Sequence, residues 1–178
     1  MIEIPHHNTT MEPSPWIQRF GRHVSAGSTA LDLACGGGRN GRWFMARGIR
    51  VTFLDSDVTG LADLTGAKLA DIIQADLETN VSFPLGTRQF KCVVVTNYLW
   101  RRILANIFDA VAPDGILIYE TFGSGNQAFG RPRNPDFLLQ PKELLKIASG
   151  KFRILAYEQG LRRLPSPAII QRLAAVRK

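Results

Sequence analysis

Apolar residues gather along this chain into short runs separated by polar stretches containing glycine and proline. The runs Ala30–Ala34, Ile49–Leu54, Ile72–Gln74, Phe90–Thr96 and Ile116–Tyr119 are short for helices and predict five strands. Cys92-Val93-Val94-Val95 is continuously apolar, as in a strand covered on both faces. Helical spacing fills the intervals. Ile103, Leu104, Ile107, Phe108 and Val111 recur on one face of a helix expected over Leu99–Val111. Further helices are expected over Asn40–Arg47, closed by Gly48, over Val58–Leu64, and from Pro141 to Ser149. A first helix starts at Ser14 or Pro15, carries Trp16, Ile17 and Phe20, and ends near Gly21.

Strand and helix in alternation predict an α/β domain with a mostly parallel sheet. Two more strand-like runs, Arg153–Tyr157 and Ala168–Val176, have only Gln159–Pro167 between them. That is too little chain for a parallel crossover, so these two must pair antiparallel. The expected fold is therefore a Rossmann-like doubly wound sheet, mostly parallel with an antiparallel C-terminal strand. It forms a single domain over residues 1–178, with residues 1–25 as an N-terminal lid or edge helix. Pro113-Asp114-Gly115 reads as a turn. Residues 122–140, holding Gly123, Gly125, Gly130, Pro132 and Pro135, read as a long loop, which in a compact domain is usually functional.

The first strand breaks into Gly36-Gly37-Gly38 and then a helix start. Such a turn brings bare backbone close to an anionic ligand. Asp55 ends the second strand, where a carboxylate takes a ribose diol. Together these features point to a cofactor containing a nucleoside. Gly36-Gly37-Gly38-Arg39-Asn40-Gly41 satisfies G-x-G-x-x-G, so a dinucleotide such as NAD, and with it an oxidoreductase, has to be weighed. Asp32 argues against it. A carboxylate inside the strand needs a partner, and an ammonium group such as that of S-adenosylmethionine (SAM) supplies one. The closing antiparallel hairpin points the same way.

Asp32-Leu33-Ala34-Cys35-Gly36-Gly37-Gly38 resembles motif I of class I SAM-dependent methyltransferases, usually D/E-x-G-x-G-x-G, with Ala34 in place of the first glycine. The resemblance runs from about Leu31 to the end of the chain. Gly36-Gly37-Gly38-Arg39-Asn40 followed by an aromatic-rich helix resembles the small bacterial methyltransferases that include the tellurite-resistance type. The resemblance implies the class I methyltransferase fold, SAM as cofactor, and cofactor contacts at Asp32, Ala34, Gly36, Gly38, Arg39 and Asn40. Four strand ends agree with it, since ligands in open α/β sheets bind at the carboxyl ends of strands. On this reading Asp55 with Ser56 holds the ribose, and Asp76 with Leu77 meets the adenine. Asn97-Tyr98-Leu99-Trp100 occupies the place of motif IV but lacks the Pro-Pro of enzymes that methylate base amines. Asn97 is assigned to the cofactor. Tyr98 is a catalytic candidate that could face the sulfonium, and Trp100 is a packing residue. Glu120, ending the fifth strand, is the candidate general base, or else a structural hydrogen-bonding acid.

Composition narrows the remaining choices. With 178 residues, 45% hydrophobic, the chain can bury a full core, and no apolar run approaches the length of a membrane span. The N-terminal residues have no signal-peptide character, and Cys35 and Cys92 suggest neither a disulfide framework nor a metal site, so a cytoplasmic protein is expected. His6, His7 and His23 lie outside the motifs. Net charge is +7, with 16 arginines among the 22 basic residues. Arg131 and Arg133 in the long loop are the candidates for binding an anionic acceptor. The expected function is SAM-dependent methyl transfer to a small molecule, either anionic or carrying a soft nucleophile, by a monomer or homodimer. The alternatives are an RNA or protein methyltransferase using a track of Arg101, Arg102, Arg131, Arg133, Arg162 and Arg163, and a non-catalytic SAM-binding module.

Overall fold

A computed structural model describes residues 12–79 and 82–178; the residues of the expected lid before Glu12, with His6 and His7, lie outside this range. Seven strands form one sheet: β1 (Thr29–Leu33), β2 (Arg50–Asp55), β3 (Ala70–Gln74), β4 (Phe90–Thr96), β5 (Val111–Phe122), β6 (Phe152–Arg162) and β7 (Ala168–Arg177). Their order is β3-β2-β1-β4-β5-β7-β6. The pairs among β1 to β5 are parallel, and β7 is antiparallel to both its neighbours. The chain reverses direction across the sheet between β1 and β4. That is where the clefts of open α/β sheets form.

Successive side chains on a strand point to opposite faces, so each central strand serves two cores. On β4, Cys92 and Val94 pack with Trp16, Phe44 and Phe53 on one face, while Val93 and Val95 pack with Leu104, Ile107 and Leu144 on the other. The first face is covered by α1 (Pro15–Gly21) and α2 (Arg39–Met45), the second by α3 (Leu104–Asp109) and α4 (Glu143–Ala148). Helix α1 has Pro15 at its first position and Ser14 as N-cap, whose hydroxyl accepts from the Trp16 N–H at 3.2 Å. It lies against β5 and β7, with the Trp16 indole N–H donating to the Leu173 carbonyl at 3.3 Å.

The expected helix Leu99–Val111 is shorter than its apolar spacing suggested. A single 3-10 turn, Arg101–Ile103, leads into α3, and Val111 has already joined β5 opposite Phe90. The expected turn Pro113-Asp114-Gly115 sits inside β5 as a bulge. The register jumps there from Phe90–Val111 to Cys92–Ile116, and Asp114 is left-handed at φ 58°. The long loop is also more ordered than its composition implied. Gly123 bridges to Leu139, Leu138 and Leu139 are buried, and Trp100 stacks on Phe137.

Helix α2 lies against β2 because Gly41 faces it without a side chain. A Cβ on Gly41 would stand 2.2 Å from Phe53 Cε1 and 3.0 Å from the Asp32 carboxylate. Gly41→Ala is therefore expected to cost ~1–3 kcal/mol by overpacking, read as a lower urea midpoint. Phe53→Leu in the same background should recover part of that loss.

Candidate active site

The loop after β1 is a left-handed curl. Ala34 has φ 52°, Gly36 φ 52° and Gly38 φ 74°. Three bonds hold it: the Cys35 N–H donates to the Leu54 carbonyl at 3.3 Å, the Gly38 N–H to the Cys35 carbonyl at 2.9 Å, and the Gly36 N–H to Asp55 Oδ2 at 2.8 Å. From below, Arg42 clamps the loop by donating to the Gly37 and Gly60 carbonyls, each at 3.0 Å, while its guanidinium is paired with Asp63. Gly36 and Gly37 face open space, with nothing within 4 Å of where a Cβ would project.

Asp32 lies beneath this curl, buried. Its Oδ2 accepts the Gly41 N–H at 2.7 Å, while Oδ1 has no partner. Burial pushes its carboxyl up to about 7 against the lowering effect of that hydrogen bond and of Arg39. Burial raises the neighbouring Cys35 thiol too, with the Asp32 and Asp55 charges adding to it, so Cys35 is held as a neutral thiol.

Asp55, at the end of β2, also accepts the Asp57 N–H at 3.1 Å and the Ser56 hydroxyl at 3.4 Å, both on Oδ1. A cleft of about 670 Å³ opens beside it, lined by Ala34, Asp55, Ser56, Asp76, Leu77 and Tyr98, together with Ala75 and Glu78. Six of the residues assigned from sequence meet here. Asp76 accepts the Glu78 N–H at 2.8 Å and Leu77 is buried against the core. The Tyr98 hydroxyl is buried without a hydrogen-bond partner, and burial with the nearby acids keeps it firmly protonated. Glu78, whose carboxyl is raised by burial and by Asp76, was not anticipated. Its one signal was its place two residues beyond Asp76.

A second cleft, of about 600 Å³, lies at the ends of β4, β5 and the β6–β7 hairpin. Arg39, Asn97, Glu120, Arg162 and Arg172 line it. Asn97, left-handed at φ 55°, donates its N–H to the Glu120 carbonyl at 2.8 Å. Both oxygens of the buried Glu120 are engaged: Oε1 accepts the Ser14 hydroxyl at 3.1 Å, and Oε2 pairs with the Arg172 guanidinium. Arg172 pairs also with Glu158 at 3.2 Å. Arg162 is partly buried, and desolvation, with the nearby Arg172 and Arg39, lowers its pKa against the pull of Glu120. Arg172 was missed in the sequence because its register partner, Glu120, lies far away along the chain.

Other assigned residues stand elsewhere. Asn40 is buried behind the loop as a brace: its Oδ1 accepts the Ser14 N–H at 3.0 Å and its Nδ2 donates to Thr96 Oγ1 at 3.1 Å. Arg131 and Arg133 are exposed on the long loop and line neither cleft. Arg101 is engaged in structure, pairing with Glu143 and donating to the Asp136 and Leu138 carbonyls at 2.6 and 2.8 Å. Among the described residues no cluster of His, Cys, Asp or Glu could hold a metal ion, and no helix is long and apolar enough to cross a membrane.

A parallel sheet reversed by one strand, with two clefts at its carboxyl ends, is the architecture of a class I methyltransferase. Residues 31–119, half of the chain, match the family described as a methyltransferase domain, and the chain belongs to that family. Solved structures share the fold. TehB from Haemophilus influenzae superposes with a TM-score of 0.74 at 18% identity, over 97% of this chain. This chain spans only 64% of that one's length. The Burkholderia thailandensis 1,6-didemethyltoxoflavin-N1-methyltransferase, solved with 1,6-didemethyltoxoflavin and S-adenosylhomocysteine (SAH), gives 0.69 at 18% identity, over 92% of this chain and 77% of that one. A TehB-like SAM-dependent methyltransferase from Corynebacterium glutamicum gives 0.63 at 19% identity, over 92% and 87%. A search of curated protein sequences finds no significant match.

Two outcomes follow from the loop. Ala34→Gly removes a side chain from left-handed backbone and should raise stability by up to ~1 kcal/mol, seen as a higher melting temperature. Asp32 holds its proton in the folded protein up to about pH 7 but releases it near 3.8 when unfolded. Its contribution is thus most favourable below pH 4, declines as pH rises to about 7, and is constant above that. Asp32→Asn should be close to neutral at pH 4 and stabilising at pH 8, by up to ~4 kcal/mol in cofactor-free protein, measured by denaturant titration at both pH values.

Proposed function

We propose that this protein transfers a methyl group from SAM to a small anionic acceptor, with the cofactor in the acidic cleft and the acceptor in the arginine-lined one. The observation that carries this reading is the opposite charge of two clefts that adjoin at Asn97 and Tyr98. One is lined by Asp55, Asp76 and Glu78, the other by three arginines, Arg39, Arg162 and Arg172, against two carboxylates, Glu12 and Glu120. The first cleft's unbalanced carboxylates favour a cationic ligand. In the second, Glu12 and Glu120 offset part of the arginine charge, and Arg162, without an ion-pair partner among the described residues, is the place for an anionic one.

The chain's residues fit SAM. The orphaned Asp32 Oδ1 is an acceptor suited to a buried ammonium neighbourhood, and Gly36 and Gly37 leave room for close backbone approach. Asp55 is the acceptor for the ribose hydroxyls, with Ser56 beside it. Asp76 and Leu77 offer a carboxylate and an apolar surface to the adenine. When bound, the cofactor supplies a methyl group activated by a sulfonium. The protein's work is alignment and exclusion of water. Asn97 and Tyr98 stand between the clefts and orient what meets there. Glu120 serves as the counter-charge that fixes Arg172, which makes it a positioning residue.

Arg101 is spent on Glu143 and two carbonyls, which favours the small molecule over an RNA track through that residue. Arg131 and Arg133 remain as outer contacts for the acceptor on this reading. Transfer of labelled methyl to a cell-extract fraction distinguishes turnover from cofactor binding alone.

Calorimetry with SAM, SAH and NAD tests the assignment. SAM and SAH should bind, and binding of NAD alone overturns it. Asp55→Ala should weaken SAM binding by ~1–3 kcal/mol, through loss of charge-assisted hydrogen bonds. An unchanged dissociation constant would remove Asp55 from the cofactor site.

A further inference from the structure

The acceptor cleft has two kinds of wall. One is cationic. The Arg172 guanidinium is paired with Glu120 and Glu158, and Arg39 donates to the Glu12 carbonyl at 2.9 Å. Arg162 has no hydrogen-bond or ion-pair partner among the described residues, and its Nε is shielded from solvent. A partly desolvated guanidinium with unused donors is a site for an anion, and its planar fork matches a carboxylate. The other wall is apolar: Phe122, Leu164, Pro13, Pro15 and Pro165. Leu164, at the tip of the β6–β7 hairpin, is 81% exposed, more than any other large apolar residue described.

We propose that the acceptor is an organic acid with an extended apolar body, its carboxylate held by Arg162 and its body covered by Phe122 and the hairpin tip at Leu164. The inference rests on the methyltransferase reading above and narrows its acceptor. A volume of about 600 Å³ falls in the range of sites for organic ligands and far exceeds what a small inorganic oxyanion fills. Such an ion would also leave the apolar wall in water. An acid with a ring system buries Leu164 and gains from each apolar contact. Asn97 lines the same cleft, and its neighbour Tyr98 lines the cofactor's, so an acceptor anchored at Arg162 extends toward the junction of the two.

The test uses the full chain saturated with SAH and four probes: 2-naphthoate, 2-naphthamide, acetate and inorganic phosphate. Calorimetry should show 2-naphthoate binding at least about tenfold more tightly than each of the others, since neither charge nor ring alone satisfies both walls. Arg162→Gln should weaken 2-naphthoate about tenfold and Leu164→Ser about threefold, with SAH affinity retained as the check on folding. Acetate or phosphate binding as tightly as 2-naphthoate overturns the inference, as does 2-naphthoate affinity unaltered by Arg162→Gln. Protein that binds SAH but none of the four probes overturns the organic acid and leaves the methyltransferase reading standing. Failure to bind SAH overturns that reading itself.

Discussion

The hydrogen bond from the Gly41 N–H to the Asp32 carboxylate is the contact on which the rest of the site depends. It runs from the first turn of α2 down to the middle of β1, and it forms only because nothing larger than hydrogen occupies Gly41. That closeness sets α2 against Phe53 and fixes the left-handed curl between strand and helix. The same bond leaves one carboxylate oxygen buried and unsatisfied. A group in that condition costs stability in isolation and becomes useful when a ligand supplies the missing donor. The protein thus carries a local instability beneath the glycine turn, where a bound donor would relieve it.

From there a chain of polar contacts crosses the molecule. Asn40 links α2 to the N-cap of α1 and to Thr96 at the end of β4, and the N-cap Ser14 reaches Glu120, which holds Arg172 of β7. Each link is buried or half-buried, so each replaces water with a defined partner. The two clefts are consequently placed by one network. The glycine turn beside the first cleft and Arg172 in the second cannot shift independently without breaking a buried hydrogen bond.

Much of this was legible in the sequence. The apolar runs marked every strand, because strands buried on both faces leave an unmistakable pattern, and the short interval before the last strand dictated its reversal. Asp55, Asp76 and Tyr98 could be placed together from sequence, and they line one cleft, because the ends of parallel strands share one edge of the sheet. What stayed hidden depended on register and on direction. Glu120 and Arg172 meet only because β5 and β7 pair opposite one another, and spacing along the chain carries no trace of that. Asn40 was assigned to the cofactor from its place after the glycines, yet the helix turns its amide inward. The bulge at Pro113–Gly115 kept Val111 from being seen as strand, since its apolar side chain continued the helical spacing as well as it began the sheet.

Strand β7 has one more consequence. It is the last of the described strands to be synthesised, yet it lies between β5 and β6, not at the margin. While the chain emerges from a ribosome, β1 to β5 can assemble and the glycine turn with them. Strand β6 has no partner until β7 arrives to slot between them. The newborn protein therefore completes the half with the glycine turn and Asp55 first and gains the half with Arg162 and Arg172 in a single late insertion. A nascent chain halted before Ala168 would hold two open strand edges where the finished one has a closed seam.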